Sequence, residues 1–325
     1  MSDRSANVLE NYEIEVLRTW KGRGAVLCET KQGILILKEY AGRRDKAVFQ
    51  DALLRMIQEK GFHQVESIIK NKEQELLTQD LDGTLYILKT YIDGRECNVR
   101  DMEECCHASR TLALLHQVSR FDEPVSGFGF SHPAYQEFEK HNKELRRVRK
   151  YLKDRGQKTD FEIALFRTYD YFLNLALEIT EEMKNAENER EEYFVCHGDF
   201  QYHNIIVGAG QMHIINFEKC LYDRPIRDLY LFMRKLLEKS GWSEKVGFDL
   251  VEAYEHSRPM EKEEYRQLYY RLAYPEKFWK IVNFYYNSGK AWIPDKNMEK
   301  LVRVTGQEKS KQVFLESFKA RYGLS

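Results

Sequence analysis

Proline is scarce in this chain, 6 residues in 325, and no stretch repeats itself or falls into low complexity. Aromatics reach 13%, with 20 Tyr and 18 Phe. Few prolines and many rings together point to a helical protein with an aromatic core and amphipathic surfaces. Tyrosine-based recognition or cross-linking is the other reading of so many tyrosines. Long apolar runs are also missing: GILIL at 33–37 is typical, far below the ~18 residues needed to span a bilayer. The start, MSDRSANVLENYEIEV, has no basic region followed by an apolar stretch, so no secretory signal is expected. The cysteines, at 28, 97, 105, 106, 196 and 220, form no CxxC pair, which favours reduced thiols in a cytoplasm over a disulfide framework. Neither sign of charge prevails. The 51 basic and 52 acidic residues leave a formal net charge of -1, which argues against a global binder of nucleic acid or anionic membrane. What is present, 42% hydrophobic and 32% charged residues, is the composition of a globular protein long enough for one large domain or two parts with a developed core.

Between residues 11 and 40, apolar and polar residues alternate and glycines interrupt: YEIEVLRTW, KGRG, AVLCET, KQGILILKEY. This predicts three antiparallel strands joined by turns. In 43–60, apolar positions fall at Val48, Ala52, Met56 and at Phe49, Leu53, Ile57, the spacing of an amphipathic helix ended by Gly61. Two further strands are expected at 73–78 (EQELLT) and 84–92 (TLYILKTYI). After Asp93-Gly94 the pattern turns helical, with helices expected over 98–118, 133–153, 161–184, 225–240, 243–255, 261–271, 275–287 and 297–319, interrupted by a β-like stretch at 193–215 whose turn is VGAGQ. The fold class expected is α+β: a small antiparallel β-rich N-terminal lobe, 1–92, and a large, mainly helical C-terminal lobe, 93–325.

The chemistry concentrates in His197–Lys219, HGDFQYHNIIVGAGQMHIINFEK. Phosphoryl transfer needs a carboxylate to position the accepting hydroxyl, oxygen ligands for Mg²⁺ on the ATP phosphates, and a cation on those phosphates. In HGDFQYHN, Asp199 suits the base, His197 would hold the loop by hydrogen bonds, and Asn204, five residues on, can return an amide oxygen to the same pocket. Lys38 lies in the apolar strand GILILK, where a charge rarely serves packing; it reads either as the phosphate-contacting lysine or as an edge lysine reaching to water. Lys21-Gly22-Arg23-Gly24 reads either as a cover for phosphates through Gly22 and Gly24 or as a plain hairpin turn. The helix at 43–60 should present a carboxylate to Lys38, and Asp51 is its best candidate, although Gln50 and Glu59 flank it.

HGDxxxxN followed by a short hairpin and then DRPIRDLY resembles the aminoglycoside and choline phosphotransferase superfamily, which shares the protein-kinase fold. Asp228 matches a structural aspartate there. More narrowly, YIDGREC, LALLHQVSRF, CHGDFQYHN, INFEK and YPEKFWKIVNFYYNSGKAWIP, in that order, resemble the CotS-type spore coat proteins of endospore-forming Firmicutes. The resemblance runs through almost the whole chain. It implies a bilobal protein-kinase-like fold, ATP and Mg as cofactors, and a hinge at KTYIDGREC that sets Tyr91 and Ile92 beside the nucleotide. It also implies synthesis in the mother-cell cytoplasm, deposition in the spore coat, other coat proteins as partners, and a small-molecule or protein phosphate acceptor.

One position departs from the superfamily. Where active members carry a metal-binding aspartate, this chain has Asn216, with Glu218 two residues later. Asparagine keeps an oxygen donor and loses a unit charge beside the cation, worth roughly 4 kcal/mol at ~4 Å and an effective dielectric of about 20, or about three orders of magnitude. Glu218 either restores that charge by reaching inward, making Asn204, Asn216 and Glu218 the metal set, or pairs at the surface with Lys219 or Arg224. The expected function is therefore coat assembly with weakened or absent phosphotransfer. The alternative is an active ATP/Mg-dependent phosphotransferase on a small hydroxylated substrate or coat component. Other candidates carry less. Cys105-Cys106-His107 on a helix points its side chains about 100° apart, Cys196 ends an apolar strand and should be buried, and RRVRK at 146–150 reads as a solvated helix side or a docking patch for an acidic partner.

Overall fold

The computed structural model describes residues 3–22, 24–121, 132–186, 193–287 and 294–324. Arg23 of the predicted KGRG turn and the SGKAWI part of the longest family-like motif, 288–293, lie outside the described residues. The chain begins with α1 (Asp3–Leu9), then β1 (Val16–Gly22), β2 (Ala25–Thr30), β3 (Gly33–Glu39), α2 (Arg44–Glu59), β4 (Ile68–Ile69), β5 (Thr78–Gln79), β6 (Leu85–Thr90) and β7 (Arg95–Glu96). Next come α3 (Met102–Val118), β8 (Arg120–Phe121), α4 (Ala134–Asp154), α5 (Asp160–Asn185), β9 (Tyr193–Cys196), β10 (Ile205–Gly208), β11 (Gln211–Ile214) and β12 (Leu221–Asp223). The chain closes with α6 (Ile226–Ser240), α7 (Glu244–Glu255), α8 (Lys262–Ala273), α9 (Glu276–Asn287) and α10 (Pro294–Tyr322). An antiparallel N-terminal sheet and a helical C-terminal part make the α+β class expected.

The described residues form two compact units. The first takes in those within Met1–Gly129, Glu192–Leu231 and Ala253–Arg258. Its main sheet has the order β1-β2-β3-β6-β4, with β5 also on β6, and every pairing is antiparallel. Gly22 pairs with Ala25 across the first hairpin and Gly24 sits at φ 66°, the left-handed conformation that a two-residue turn demands of glycine. Register decides what each face does, because residues opposite one another share a face. Cys28, Leu35, Leu37, Tyr86 and Leu88 bury one face against Val8, Leu9 and Tyr12. The opposite face carries Lys38 across from Ile87 and Lys89 across from Ile36, so both ammonium groups emerge on the same side as diagonal neighbours. Helix α1, which sequence periodicity did not reveal, covers the apolar face.

Two local expectations need correction. EQELLT at 73–78 is not a strand apart from its last residue, Thr78 in β5. The Asn71 side-chain oxygen accepts the backbone N–H groups of Glu73 and Glu75 at 3.0 and 2.9 Å, and Gln74 adopts φ 64°. This local side-chain turn competes with ladder formation. On α2, the row Phe49, Leu53, Ile57 is buried as expected, joined by Gln50, Asp51 and Leu54, whereas Val48 and Ala52 turn to solvent. The predicted stretch 193–215 resolves into β9, β10 and β11. The hairpin β10–β11 pairs further with β7, and β9 lies between β8 and β12.

The second unit comprises the described residues within Phe130–Glu191, Phe232–Glu252 and Pro259–Ser325. Helix α5 opens with a capping box in which Thr159 and Glu162 satisfy each other's backbone groups. The abundant aromatics fill this core: Phe138 stacks on Tyr274 at 3.8 Å between centroids, Phe172 on Phe278 at 4.4 Å, and the Tyr169 hydroxyl donates to the Leu145 carbonyl at 2.9 Å. Of the RRVRK run on α4, Val148 is buried, Arg146, Arg147 and Lys150 are exposed, and Arg149 pairs with Asp170, so the run is largely a solvated helix side.

Candidate functional site

The loop after β9 is shaped from beneath by Asp228, which is fully buried on the first turn of α6. Its carboxylate accepts the backbone N–H of His197 at 2.6 Å and of Gly198 at 2.9 Å. His116 from α3 approaches the same carboxylate through Nε2 at 3.3 Å and meets the Tyr254 hydroxyl through Nδ1 at 2.7 Å. His116, Cys196 and Asp228 have donor atoms within 4.8 Å of one another, but Cys196 donates to the Arg224 carbonyl at 3.4 Å and Asp228 serves two amides, so the cluster is a buried hydrogen-bonded support for the loop. Gly198 has φ +79°, and a Cβ there would stand 2.2 Å from the Lys219 carbonyl oxygen; only glycine lets the two segments approach this closely.

The His197 ring links Asp199 of the loop to Ile215 by hydrogen bonds. Its Nε2 donates to the Ile215 carbonyl at 2.9 Å while Nδ1 accepts the Asp199 N–H at 3.1 Å, which assigns the ring hydrogen to Nε2. Asp199 is bound at both oxygens: Lys219 donates to Oδ2 at 2.8 Å and Gln201 to Oδ1 at 2.5 Å. Burial pushes its carboxyl up, yet the bonds from Lys219 and Gln201 and the positive field outweigh that, leaving it below the usual aspartate range. Asn204 is buried in a 3-10 turn, and its Nδ2 donates to the Asp199 carbonyl at 2.8 Å.

Asn216 follows β11 in the left-handed region, φ 67° and ψ 58°, a conformation asparagine tolerates better than most residues. Its Nδ2 donates to Asn204 Oδ1 at 2.9 Å and its Oδ1 accepts from Lys38 Nζ at 2.8 Å. Lys38 also lies 3.5 Å from Glu218 Oε1. Glu218 does face inward, with a side chain 30% exposed, but the same oxygen takes a 2.7 Å bond from Lys89. Lys89 is fully buried and also binds Glu66 at 2.9 Å. Burial raises the Glu218 carboxyl, and the charges of Lys89 and Lys38 together with the Lys89 hydrogen bond overcome it, bringing the group down to about 2. For Lys89, burial acts downward, and Glu66 and Glu218 raise the ammonium above its ordinary value in spite of it.

The structure brings together Lys38, His197, Asp199, Asn204, Asn216 and Glu218 of the residues singled out in the sequence. It does not join Asp51 to Lys38: Asp51 is held by Arg55 one turn along α2. Helix α2 instead reaches the turn at Phe217–Lys219 through Lys46, which donates to the Cys220 carbonyl. Gly22 and Gly24 lie in the first hairpin. The Tyr91 N–H donates to the Ile34 carbonyl at 3.1 Å, and Tyr91 and Ile92 follow β6 half-buried. Cys105 is buried and His107 exposed on α3, as the helical angle between them requires.

Two residues were missed. Glu66 enters because Val65 bridges Ile214 in parallel fashion and Ile214 donates to the Gln64 carbonyl at 2.8 Å. That contact delivers the Glu66 carboxylate to the backbone N–H groups of Asn216, at 2.9 Å, and Phe217, at 3.4 Å. Lys89 carries the same signal that singled out Lys38, a charge inside an apolar strand, here LYILKT. Glu66 lies next to Val65 and just before Ile68-Ile69, but Gln64 and Ser67 make its stretch polar enough that no such signal marks it.

As arranged, this donor set does not fit a divalent ion. The Asn204 oxygen is capped by an N–H, the Asn216 oxygen by an ammonium, Oε1 of Glu218 by two lysines and Oδ2 of Asp199 by Lys219. Magnesium sites require oxygen lone pairs and negative charge turned toward the ion.

Residues 5–318 match the family described as "Spore coat putative kinase YutH". The chain belongs to this family. A curated relative, Spore coat protein S of Bacillus subtilis (strain 168), is 25% identical over 321 residues, covering 93% of this chain and 88% of that protein. Among solved structures, an aminoglycoside phosphotransferase from Alicyclobacillus acidocaldarius subsp. acidocaldarius DSM 446 superimposes with a TM-score of 0.86 at 19% identity, covering 98% of this chain and 96% of that one. A spectinomycin phosphotransferase, solved with ADP and spectinomycin, gives 0.67 at 15% identity over 94% and 97%. At these identities the structural likeness establishes a phosphotransferase, protein-kinase-like fold for this member of the spore coat family.

Proposed function

We propose that this spore coat family member acts in the coat chiefly through assembly contacts with other coat proteins, its phosphotransfer weakened or lost at Asn216. One observation carries the reading: Asn216 joins Asn204 and Lys38 by hydrogen bonds, so the two side chains expected to hold metal satisfy each other with amide groups. The relative named for the spore coat supports the location, with synthesis in the mother-cell cytoplasm and later deposition on the spore. Lys38, Gly22, Gly24, Tyr91 and Ile92 would line any nucleotide site that persists, and Asp199 would position an acceptor hydroxyl.

The alternative, an active ATP/Mg-dependent phosphotransferase on a small hydroxylated substrate or coat component, draws on a separate observation: Glu218 points into the site. Nucleotide-bound relatives of the same fold keep it in view. Two measurements separate these readings. The purified chain with MgATP should show slow or no phosphate release, and sporulating cells carrying Asp199→Ala in place of the native chain should build a coat of normal composition. Efficient turnover abolished by Asp199→Ala, together with a defective coat in those cells, would establish the enzyme instead.

A further inference from the structure

Lys89 is not needed for any role read from the motifs, yet it is the cation placed deepest in the site. Its ammonium is fully buried between Glu66 at 2.9 Å and Glu218 at 2.7 Å. Glu66 in turn grips the backbone of Asn216 and Phe217. Among the side chains around Asn216, Lys38 and Lys89 supply two positive charges, Glu66 and Glu218 two negative ones, and Asn204 and Asn216 none. The inner site is thus electrically closed, and both of its carboxylates, Glu66 and Glu218, are neutralised from within. A divalent cation at Oε1 of Glu218 would have to displace Lys89 and would leave that ammonium, held by Glu66 alone, beside a doubly charged ion, which Coulomb repulsion opposes.

We infer that Lys89 is a resident cation that takes the place of a divalent ion: it holds Glu218, positions the Asn216 turn through Glu66, and shuts the site to metal. This inference rests on the reading of weakened phosphotransfer and adds to it, because the exclusion of metal then has two causes, Asn216 and Lys89. Restoring the aspartate alone would leave the second cause in place.

The test is Mn²⁺ binding to the full chain, followed by the electron paramagnetic resonance of the free ion, with circular dichroism as the check on folding. Wild type and N216D are expected to bind Mn²⁺ weakly and alike, within about 10-fold. N216D/K89M/E66Q should take up one Mn²⁺ per chain at least about 100-fold more tightly than N216D, the scale of freeing a unit charge in a partly screened site. Adding E218Q should abolish that gain. A merely structural role for Lys89 would change stability and leave Mn²⁺ stoichiometry unmoved. Tight Mn²⁺ binding by N216D alone would overturn the inference, while leaving intact the view that Asn216 is the defect. A folded triple variant without the gain would overturn it too. Should the triple variant not fold, the isosteric N216D decides the matter alone, since weak binding is the expected result and tight binding the contrary one.

Discussion

Asn216 donates its side-chain amide to Oδ1 of Asn204 across 2.9 Å. The orientation of both amides follows from their other partners. Asn204 uses its N–H on the Asp199 carbonyl, so its oxygen must face Asn216, and Lys38 can only donate, so the Asn216 oxygen must face Lys38. An amide N–H therefore sits between oxygens that, with aspartate at 216, would need a cation between them. Asparagine here does more than lower the charge: it makes the metal-free arrangement self-consistent.

Removing Lys89 should be costly. Lys89→Met leaves Glu66 buried without its charge partner, and breaking a buried pair from one side typically destabilises by about 3–5 kcal/mol. Adding Glu66→Gln should return part of that loss. Urea denaturation is the measurement, with a lower midpoint and an unchanged slope.

Acid should destabilise the protein through Glu218. Its folded-state carboxyl, at about 2, lies below the unfolded reference of 4.5. The protonated form is therefore relatively favoured by unfolding, so this stability is fully present above the unfolded value and disappears as pH falls through the folded one. Glu218→Gln should flatten the dependence of melting temperature on pH between those limits, a difference read by calorimetry of the two proteins side by side.

Gly198→Ala tests the close approach of the loop after β9 to Lys219. The left-handed φ alone costs a non-glycine residue about 1–2 kcal/mol, and the added Cβ meets a backbone carbonyl at 2.2 Å. We expect a total loss of more than about 2 kcal/mol, with chemical-shift changes concentrated in 196–201 and 217–221. A neutral effect on stability would mean that the two segments separate readily.

Asp228→Asn keeps the shape and removes the charge that gathers two amides. One of the N–H groups of His197 and Gly198 would then face an NH₂ group, and the expected cost is about 2–3 kcal/mol. Hydrogen exchange should speed up at those two amides first, ahead of residues in the second compact unit.

Much of this was legible along the chain. Period-3.6 and period-2 patterning marked the main helices and β1, β2, β3 and β6, because each repeat is local and each buries one face. HGDFQYHN marked the loop because its residues act within eight positions of one another. Asn216 was visible as a departure because the motif gives it a fixed distance from Asn204. Turn chemistry was harder: Asn71 redirected 73–78 through bonds that alternation does not encode.

Local patterning along the chain marked most of the longer elements, the family motifs and the position, Asn216, at which this chain departs from the motif it resembles. Only the tertiary structure decided which charges meet. Lys38 bonds Asn216 and Glu218 rather than Asp51, Lys89 reaches Glu218 across 129 positions, and Glu66 reaches Asn216 across 150. Such pairings depend on sheet register, which sets two lysines on one face, and on the bridge that leads Val65 past Ile214. A charge in the sequence carries no address. Its partner is chosen when folding removes water from around it and makes an unpaired charge too costly to keep.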